Sequence, residues 1–506
     1  MMIPLPLFVA VPLTAAFTVP LFGQKTKSIA TLLANIATTC LLVLAIYVMM
    51  TGQSGIYKVG QWSIPIGINL VLDGLSGLML LTISVVSFAA MLFSIRYMEQ
   101  YTAKPKFLSL FLLMVAGMNG VVLSGDIFNL FVFLEIASIS SYALVGFGCE
   151  HEELEASFKY MVLGSVASMF ILFGIGLVYG MTGTLNLAYI SKTIQLAGLN
   201  NGLYFALAMF IVGFGLKAAL VPFHAWLPDA HPSAPAPISA MLSGVLIKAL
   251  GVYALIRIIF NVFGVSIPIG WILITLGVLS MVTGVFLAVG QWDFKRLLAY
   301  HSISQMGYVV LGVGIGAVVL AQGKDPAWAS LAILGGLFHL MNHSVFKSLL
   351  FLTSGSIEIA TGTRQLKQLG GLAEKMPLTR TMCTIASAAI AGVPPFNGFW
   401  SKLLIVLAAV KAQFYSLAAV TVLVSLVTLI SFLKVQRYIF LGDLPDELKE
   451  VKESKGSMVW SMGLLACLCV MMGLLLLWEP LREQILTPAV RVLVQNVYSS
   501  EIISMQ

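Results

Sequence analysis

Residues 216–255 read LKAALVPFHAWLPDAHPSAPAPISAMLSGVLIKALGVYAL. An apolar run ends on Lys217, breaks at Pro222, His224 and Pro228, and resumes as a second apolar run holding Lys248. A proline removes an internal helical hydrogen bond and clashes with the preceding turn. In lipid such a break is tolerated only where protein or water covers the freed backbone groups. A lysine at mid-bilayer costs about 2.5–3.5 kcal/mol on insertion scales, a cost rarely present without use. The stretch therefore reads as a broken membrane helix followed by a second helix with a buried charge.

The rest of the chain supports that reading. Of 506 residues, 59% are hydrophobic and only 10% are charged, whereas soluble domains carry about 25% charged residues. At about 20 apolar residues per span, the length accommodates about fourteen spans. The apolar segments are 3–23, 28–51, 68–95, 107–123, 126–148, 157–181, 201–227, 236–261, 268–290, 296–321, 328–359, 379–410, 415–440 and 457–478, numbered 1 to 14 below. The N-terminus lacks a basic region and a cleavage site, so it reads as a first span and not as a signal peptide. The fold class is all-α polytopic membrane protein. Composition excludes a disordered chain, a coiled coil, a disulfide scaffold and a porin-like barrel. The five cysteines are scattered without a CxxC, which points to apolar packing and not to metal or iron–sulfur ligation.

The basic residues orient the chain. Odd-numbered loops carry Lys25, Lys27, Arg96, Lys104, Lys106, Lys295, Arg296, Lys434, Arg437, Lys452 and Lys455, among others. Even-numbered loops and the tail carry only Lys58, Lys192, Arg257, Lys324, Lys411, Arg482 and Arg491. The positive-inside rule puts the odd loops in the cytoplasm and both termini outside a plasma membrane. The net charge of +7 is then mostly orientation signal and gives no argument for nucleic acid. HEELE (151–155) reads as a short solvated turn.

Four lysines, Lys217, Lys248, Lys347 and Lys402, fall inside apolar segments, with Glu135 as a buried acid. Structural ion pairing or snorkelling is the bland reading; for these residues a functional role is favoured. For Asp73 and Asp126, at span starts, helix capping leads. In FHLMNHSVFKSLLF, His339, His343 and Lys347 recur every four residues and share one helix face. Three ionisable groups on one stripe point to a proton path. They do not make a zincin-type metal site, because the Glu of HExxH is missing. His301, with Ser302, Ser304 and Gln305, opens another polar series able to hold ordered water.

A second break, IAGVPPFNGFWSKLLIV in segment 12, carries Pro394, Pro395, Gly398 and Lys402. Its V-P-P-F-x-x-F-W matches the V-P-F-x-x-W of segment 7. Two similar breaks five spans apart suggest two inverted five-helix repeats, spans 4–8 (107–261) and 9–13 (268–440). Spans 1–3 (1–98) precede them, and span 14 with a tail (457–506) follows. Repeat-related broken helices mark the transport site in many transporters.

In FNLFVFLEIASISSYALV, the 216–255 stretch, KRLLAYHSISQMGYV, HLMNHSVFKSLLFL and GVPPFNGFWSK, the chain resembles the antiporter-like proton-translocating subunits. These occur in complex I, Mrp-type sodium/proton antiporters and membrane-bound hydrogenases. The resemblance covers about residues 60–440. It implies that Glu135 is the span-5 glutamate, Lys217 the lysine of the broken span 7 and Lys248 the central span-8 lysine. It further implies that His339, His343 and Lys347 are the span-11 connecting set and Lys402 the terminal span-12 residue. A complex I member of this kind typically has Glu where this chain has Lys402, and no long lateral arm is expected after segment 14. Both points favour an Mrp D-type subunit or a relative in hydrogenase or sulfur-reducing complexes.

The expected mechanism moves protons along Glu135, Lys217, Lys248, His301, His339, His343, Lys347 and Lys402. The distance from Glu135 to Lys217 would control whether Lys217 holds its proton. Expected partners are other membrane subunits, protons and the bilayer, with sodium left open. No catalytic centre, cofactor or metal is expected in this chain: no haem CxxCH, dinucleotide or Walker motif occurs. The chain would be an enzyme component only as the pumping subunit of an oxidoreductase complex. A stand-alone solute transporter and a structural scaffold are the competing readings.

Overall fold

The computed structural model describes residues 3–23, 27–454, 456–495 and 498–504. Lys25 and Lys455, used in the orientation argument, lie outside the described residues. The chain is a helical polytopic membrane protein. Among the described residues, eleven helices are long and apolar enough to cross a membrane. Two shorter apolar helices, Leu7–Phe22 and Asn201–Lys217, correspond to segment 1 and the start of segment 7. Segment 12 is a pair of helices, Pro377–Ala391 and Asn397–Lys411.

The helices are not equally buried, and that decides where charges can sit. The apolar windows of Lys27–Thr51 and Tyr415–Ile439 are 33% buried, whereas that of Ala236–Phe263 is 100% buried. Phe294–Ala321 and Pro326–Thr361 are also mostly enclosed. Segments 8, 10 and 11 thus form the centre of the molecule, and all the histidines of the expected path lie on segments 10 and 11. Small residues permit this packing. A Cβ on Gly284 would lie 2.5 Å from the Ser304 nitrogen, and one on Gly307 would lie 2.4 Å from the Gly277 oxygen. Segments 9 and 10 therefore meet backbone to backbone.

Segment 7 is broken where its prolines fall: its helix ends at Lys217, and a short helix, Leu227–Ser233, follows an irregular link. Other features depart from the sequence reading. Residues 151–155 are no turn. They open the helix His151–Thr182, where Glu150 and Glu153 form a capping box. Arg257, assigned above to a loop, is 2% exposed within Ala236–Phe263. Lys104 and Lys295 are also buried. An antiparallel hairpin pairs Gly55–Lys58 with Asn69–Leu72, and an amphipathic helix spans Leu187–Ala197. Asp73 and Asp126 do cap helices, accepting from the backbone nitrogens of Ser76 and Asn129.

Candidate proton path

Glu135 lies on the segment 5 helix Ile127–Val145. Ser138 and Tyr142 follow it by three and seven residues, so all three project from one face. Lys217, the last residue of its helix, reaches that face. Its Nζ lies 3.7 Å from Glu135 Oε1 and donates to Ser138 Oγ (2.9 Å) and Tyr142 Oη (3.3 Å). The Ser168 hydroxyl donates to the same Glu135 oxygen. The pair is asymmetric: the lysine side chain is 3% exposed and the glutamate 28%.

The break beyond Lys217 is held by side chains. Trp226 Nε1 donates to the Leu216 carbonyl at 3.0 Å, and the Val221 nitrogen donates to Ser280 Oγ at 2.9 Å. These groups replace helical partners lost at the break. Trp226 stacks on Tyr160, which packs edge-on against Tyr142. The break is thereby mechanically tied to the Lys217 site. Pro222 follows a cis peptide bond, His224 lies in the irregular link, and Pro228 lies in the first turn of the short helix.

Lys248 is fully buried in a stretch of wide π-helical turns. Such turns recur at functional sites, and no sequence signal announced them. Its ammonium donates to the carbonyls of Ser243 (2.5 Å) and Gly244 (2.6 Å). Three residues on, a Cβ at Gly251 would lie 2.4 Å from the Ala218 nitrogen. The backbone of segment 8 thus runs directly against the residue after Lys217. A Cβ at Gly244 would lie 2.2 Å from Ser348 Oγ, beside Lys347. Lys248 is flanked on one side by the break and on the other by segment 11.

The second half continues the series. Ser243 Oγ and Ser302 Oγ are 2.7 Å apart, linking segment 8 to the residue beside His301. His301 Nε2 meets Ser431 Oγ at 2.8 Å. His339 bridges Gln305 (3.1 Å) and Ser401 (2.9 Å). Ser401 adjoins Lys402, which donates to the Ile390 carbonyl (2.8 Å) and Ser425 Oγ (3.1 Å) and lies over the Tyr308 ring. Ile390 sits before the second break, so Lys402 satisfies a carbonyl freed there. Trp400 Nε1 donates to the Pro395 carbonyl at 3.1 Å. Pro394 and Pro395 share a cis bond. Gly398 is required by space, since a Cβ there would lie 1.9 Å from the Ala389 oxygen.

Between these groups, the His343 ring nitrogens and Lys347 Nζ are buried with no hydrogen-bond partner, although Lys347 faces the Phe351 ring. His231 is likewise buried, with both ring nitrogens unpartnered, and stacks on Phe351. Its sequence context gives no sign of this. Its place among prolines disguised it as loop, and only the fold brings it to segment 11. No cluster of three or more His, Cys, Asp or Glu suited to a metal occurs among the described residues.

A family model described as "NADH:quinone oxidoreductase/Mrp antiporter, TM" matches residues 124–428, which include every residue of this series. The chain belongs to the antiporter-like subunit family. A second model, "NADH-Ubiquinone oxidoreductase (complex I), chain 5 N-terminus", matches residues 58–108. The D-type subunit of the Na(+)/H(+) antiporter of Alkalihalophilus pseudofirmus is 34% identical over 95% of each chain. A chain of the Mrp complex from Dietzia sp. superposes with a TM-score of 0.86 at 30% identity, covering 99% of both chains. A chain of the archaeal membrane-bound sulfane sulfur reductase does so with a TM-score of 0.85 at 33% identity, again over 99% of both. This antiporter-like subunit thus resembles one chain of each of the two assemblies over nearly its full length.

Proposed function

We propose that this antiporter-like subunit moves protons within a multisubunit membrane complex of the Mrp or membrane-bound respiratory type. The observation that carries the reading is the Glu135–Lys217 pair, 3.7 Å apart beside a broken helix, at the head of a buried ionisable series. In this proposal a proton enters from the cytoplasmic side and loads Lys217 while Glu135 is close. Separation of the pair drives the proton to Lys248. Serine hydroxyls, His301 and the segment 11 stripe then carry it to Lys402 and the outer side. Ordered water completes the partners of His343 and Lys347. Neighbouring like charges repel, so the sites titrate together.

The count of fourteen spans, with repeats 4–8 and 9–13, belongs to this proposal. It is supported by two breaks of matching sequence, each closed by a tryptophan indole donating to a carbonyl at the break. The 28% exposure of a mid-segment carboxylate supports a neighbouring membrane subunit covering that face, because a lipid-facing carboxylate is costly. Any redox group that drives such a complex resides in its other subunits. The membrane is the plasma membrane, with both termini outside.

The test is proton movement in vesicles carrying the whole complex, wild type against Lys217→Ala, with assembly followed on native gels. Loss of proton movement in an assembled complex supports the proposal. Wild-type movement in that variant refutes it and leaves the buried lysines a structural role.

A further inference from the structure

At the membrane surface shared by loops 1 and 3, the ends of segments 2, 3 and 4 enclose a cavity of about 560 Å³. It is separate from the proton series. Two of the helices start here, at Lys27 and Lys104, so their positive dipole ends face the cavity. Lys27 and Lys104 both line it, with Ser28, Thr31, Asn35 and Tyr101 as polar neighbours. Lys104 is more than nine-tenths buried and spends one ammonium proton on the Ile95 carbonyl at 2.6 Å. An ammonium has three protons to give. The one carboxylate in the lining, Glu99, pairs with Arg96 at 3.5 Å and also attracts Lys104, so two lysines against one glutamate leave the lining net positive. The electrostatics favour an anion.

The wall of the cavity decides which anion. Leu32, Ile95 and Met98 also line it. From Leu32 an apolar stripe runs along segment 2 through Ile36 and Val43, which are 59%, 55% and 60% exposed. The spacing of four and seven residues keeps the stripe on one helix face. A headgroup-sized cationic pocket at a membrane surface thus opens onto an apolar track running into the bilayer. Basic pockets between spans at this depth hold anionic lipid headgroups.

We propose that this cavity binds the phosphate headgroup of an anionic phospholipid between Lys27 and Lys104, with an acyl chain along Leu32, Ile36 and Val43. The lipid joins segment 2, a peripheral helix, to segments 3 and 4. It acts on stability of the assembled complex and takes no part in proton transfer.

The experiment uses the intact purified complex, delipidated in detergent, and native mass spectrometry with added phosphatidylglycerol, phosphatidylcholine or inorganic phosphate. The wild type is expected to retain phosphatidylglycerol at least fivefold better than phosphatidylcholine. Lys27→Gln is expected to reduce that retention at least threefold, while Lys449→Gln, in an exposed loop, leaves it unchanged. Lys27 is exposed, so its replacement does not test folding; Lys104→Gln is the second variant and is expected to lose more. Equal retention by Lys27→Gln and wild type overturns the proposal. So does equal retention of the two lipids, which would mean apolar contact alone. Thermal protection by inorganic phosphate equal to that by phosphatidylglycerol would identify the ligand as a free anion and overturns the lipid assignment.

Discussion

Replacing Glu135 by Gln removes one charge and little volume, and the amide can still meet the Ser168 hydroxyl. The lysine ammonium then loses its only carboxylate within 4 Å, since Glu135 is its single ion-pair partner among the described residues. At 3.7 Å and an effective dielectric of about 20, that attraction is roughly 4.5 kcal/mol. Each 1.4 kcal/mol corresponds to about a tenfold change in an equilibrium, so even a third of this energy is measurable as rate. Coupled proton transport in proteoliposomes, read with a pH-sensitive dye, is expected to fall at least tenfold in Glu135→Gln with assembly intact. Glu135→Asp keeps the charge but withdraws it by one methylene, to about 5 Å. The attraction is then roughly 3.3 kcal/mol, and transport is expected to lie between wild type and Gln. The distance dependence is the discriminating feature. Wild-type transport in Glu135→Gln refutes the role of the pair. An Asp variant as impaired as Gln refutes the electrostatic reasoning and leaves shape as the cause.

Three further outcomes follow from the packing. Asp73 stands one residue before the spanning helix Gly74–Gln100. It holds Arg257 in a bidentate pair at 2.6 and 2.9 Å, and Arg257 also lies over Tyr498 from the C-terminal end of the chain. Asp73→Asn leaves a buried guanidinium uncompensated and is expected to destabilise the subunit by about 3–5 kcal/mol, read as a lowered melting temperature. Burial pushes the Asp73 carboxyl up, but attraction and hydrogen bonds from Arg257 and bonds from Ser76 outweigh it and hold it below the usual carboxylate range. Its folded value is therefore below its unfolded value of about 3.9. The contribution is complete above about pH 4 and is lost as pH falls through the folded value. Melting curves should show the wild-type advantage over Asp73→Asn constant from pH 7 to 5 and shrinking only in stronger acid.

Gly251→Ala forces a methyl to 2.4 Å from the Ala218 nitrogen. It should cost about 1–3 kcal/mol by overpacking and also impair proton transport, because it parts segment 8 from the break. Normal transport in an assembled Gly251→Ala complex would show that this contact is not part of the path. Trp226→Phe keeps the stacking on Tyr160 but removes the bond to the Leu216 carbonyl. It should lower the melting temperature by an amount equivalent to about 1 kcal/mol. A melting temperature equal to wild type would mean the break needs no indole donor.

The sequence by itself determined the membrane environment and the helical class, because apolar run length and charge depletion are local properties that lipid reads directly. It also placed Glu135, Lys217, Lys248, Lys347 and Lys402 inside apolar runs, since a lysine between apolar neighbours has no local excuse. The two breaks were legible from proline and glycine alone. Tertiary structure decided everything that depends on non-local neighbours. It placed Lys217 against Glu135, eighty-odd positions away in the chain, and against Ser138 and Tyr142, which no spacing within one segment could show. It converted Arg257 from a loop residue into the buried partner of Asp73 by bringing segments 3 and 8 together. It gave Lys248 wide helical turns where its sequence reads as an ordinary apolar helix. It carried His231, hidden among prolines, to the face of segment 11. Hydropathy fixes depth in the bilayer, but contact between helices is set by which small residues let backbones approach, and that is resolved only when the helices pack.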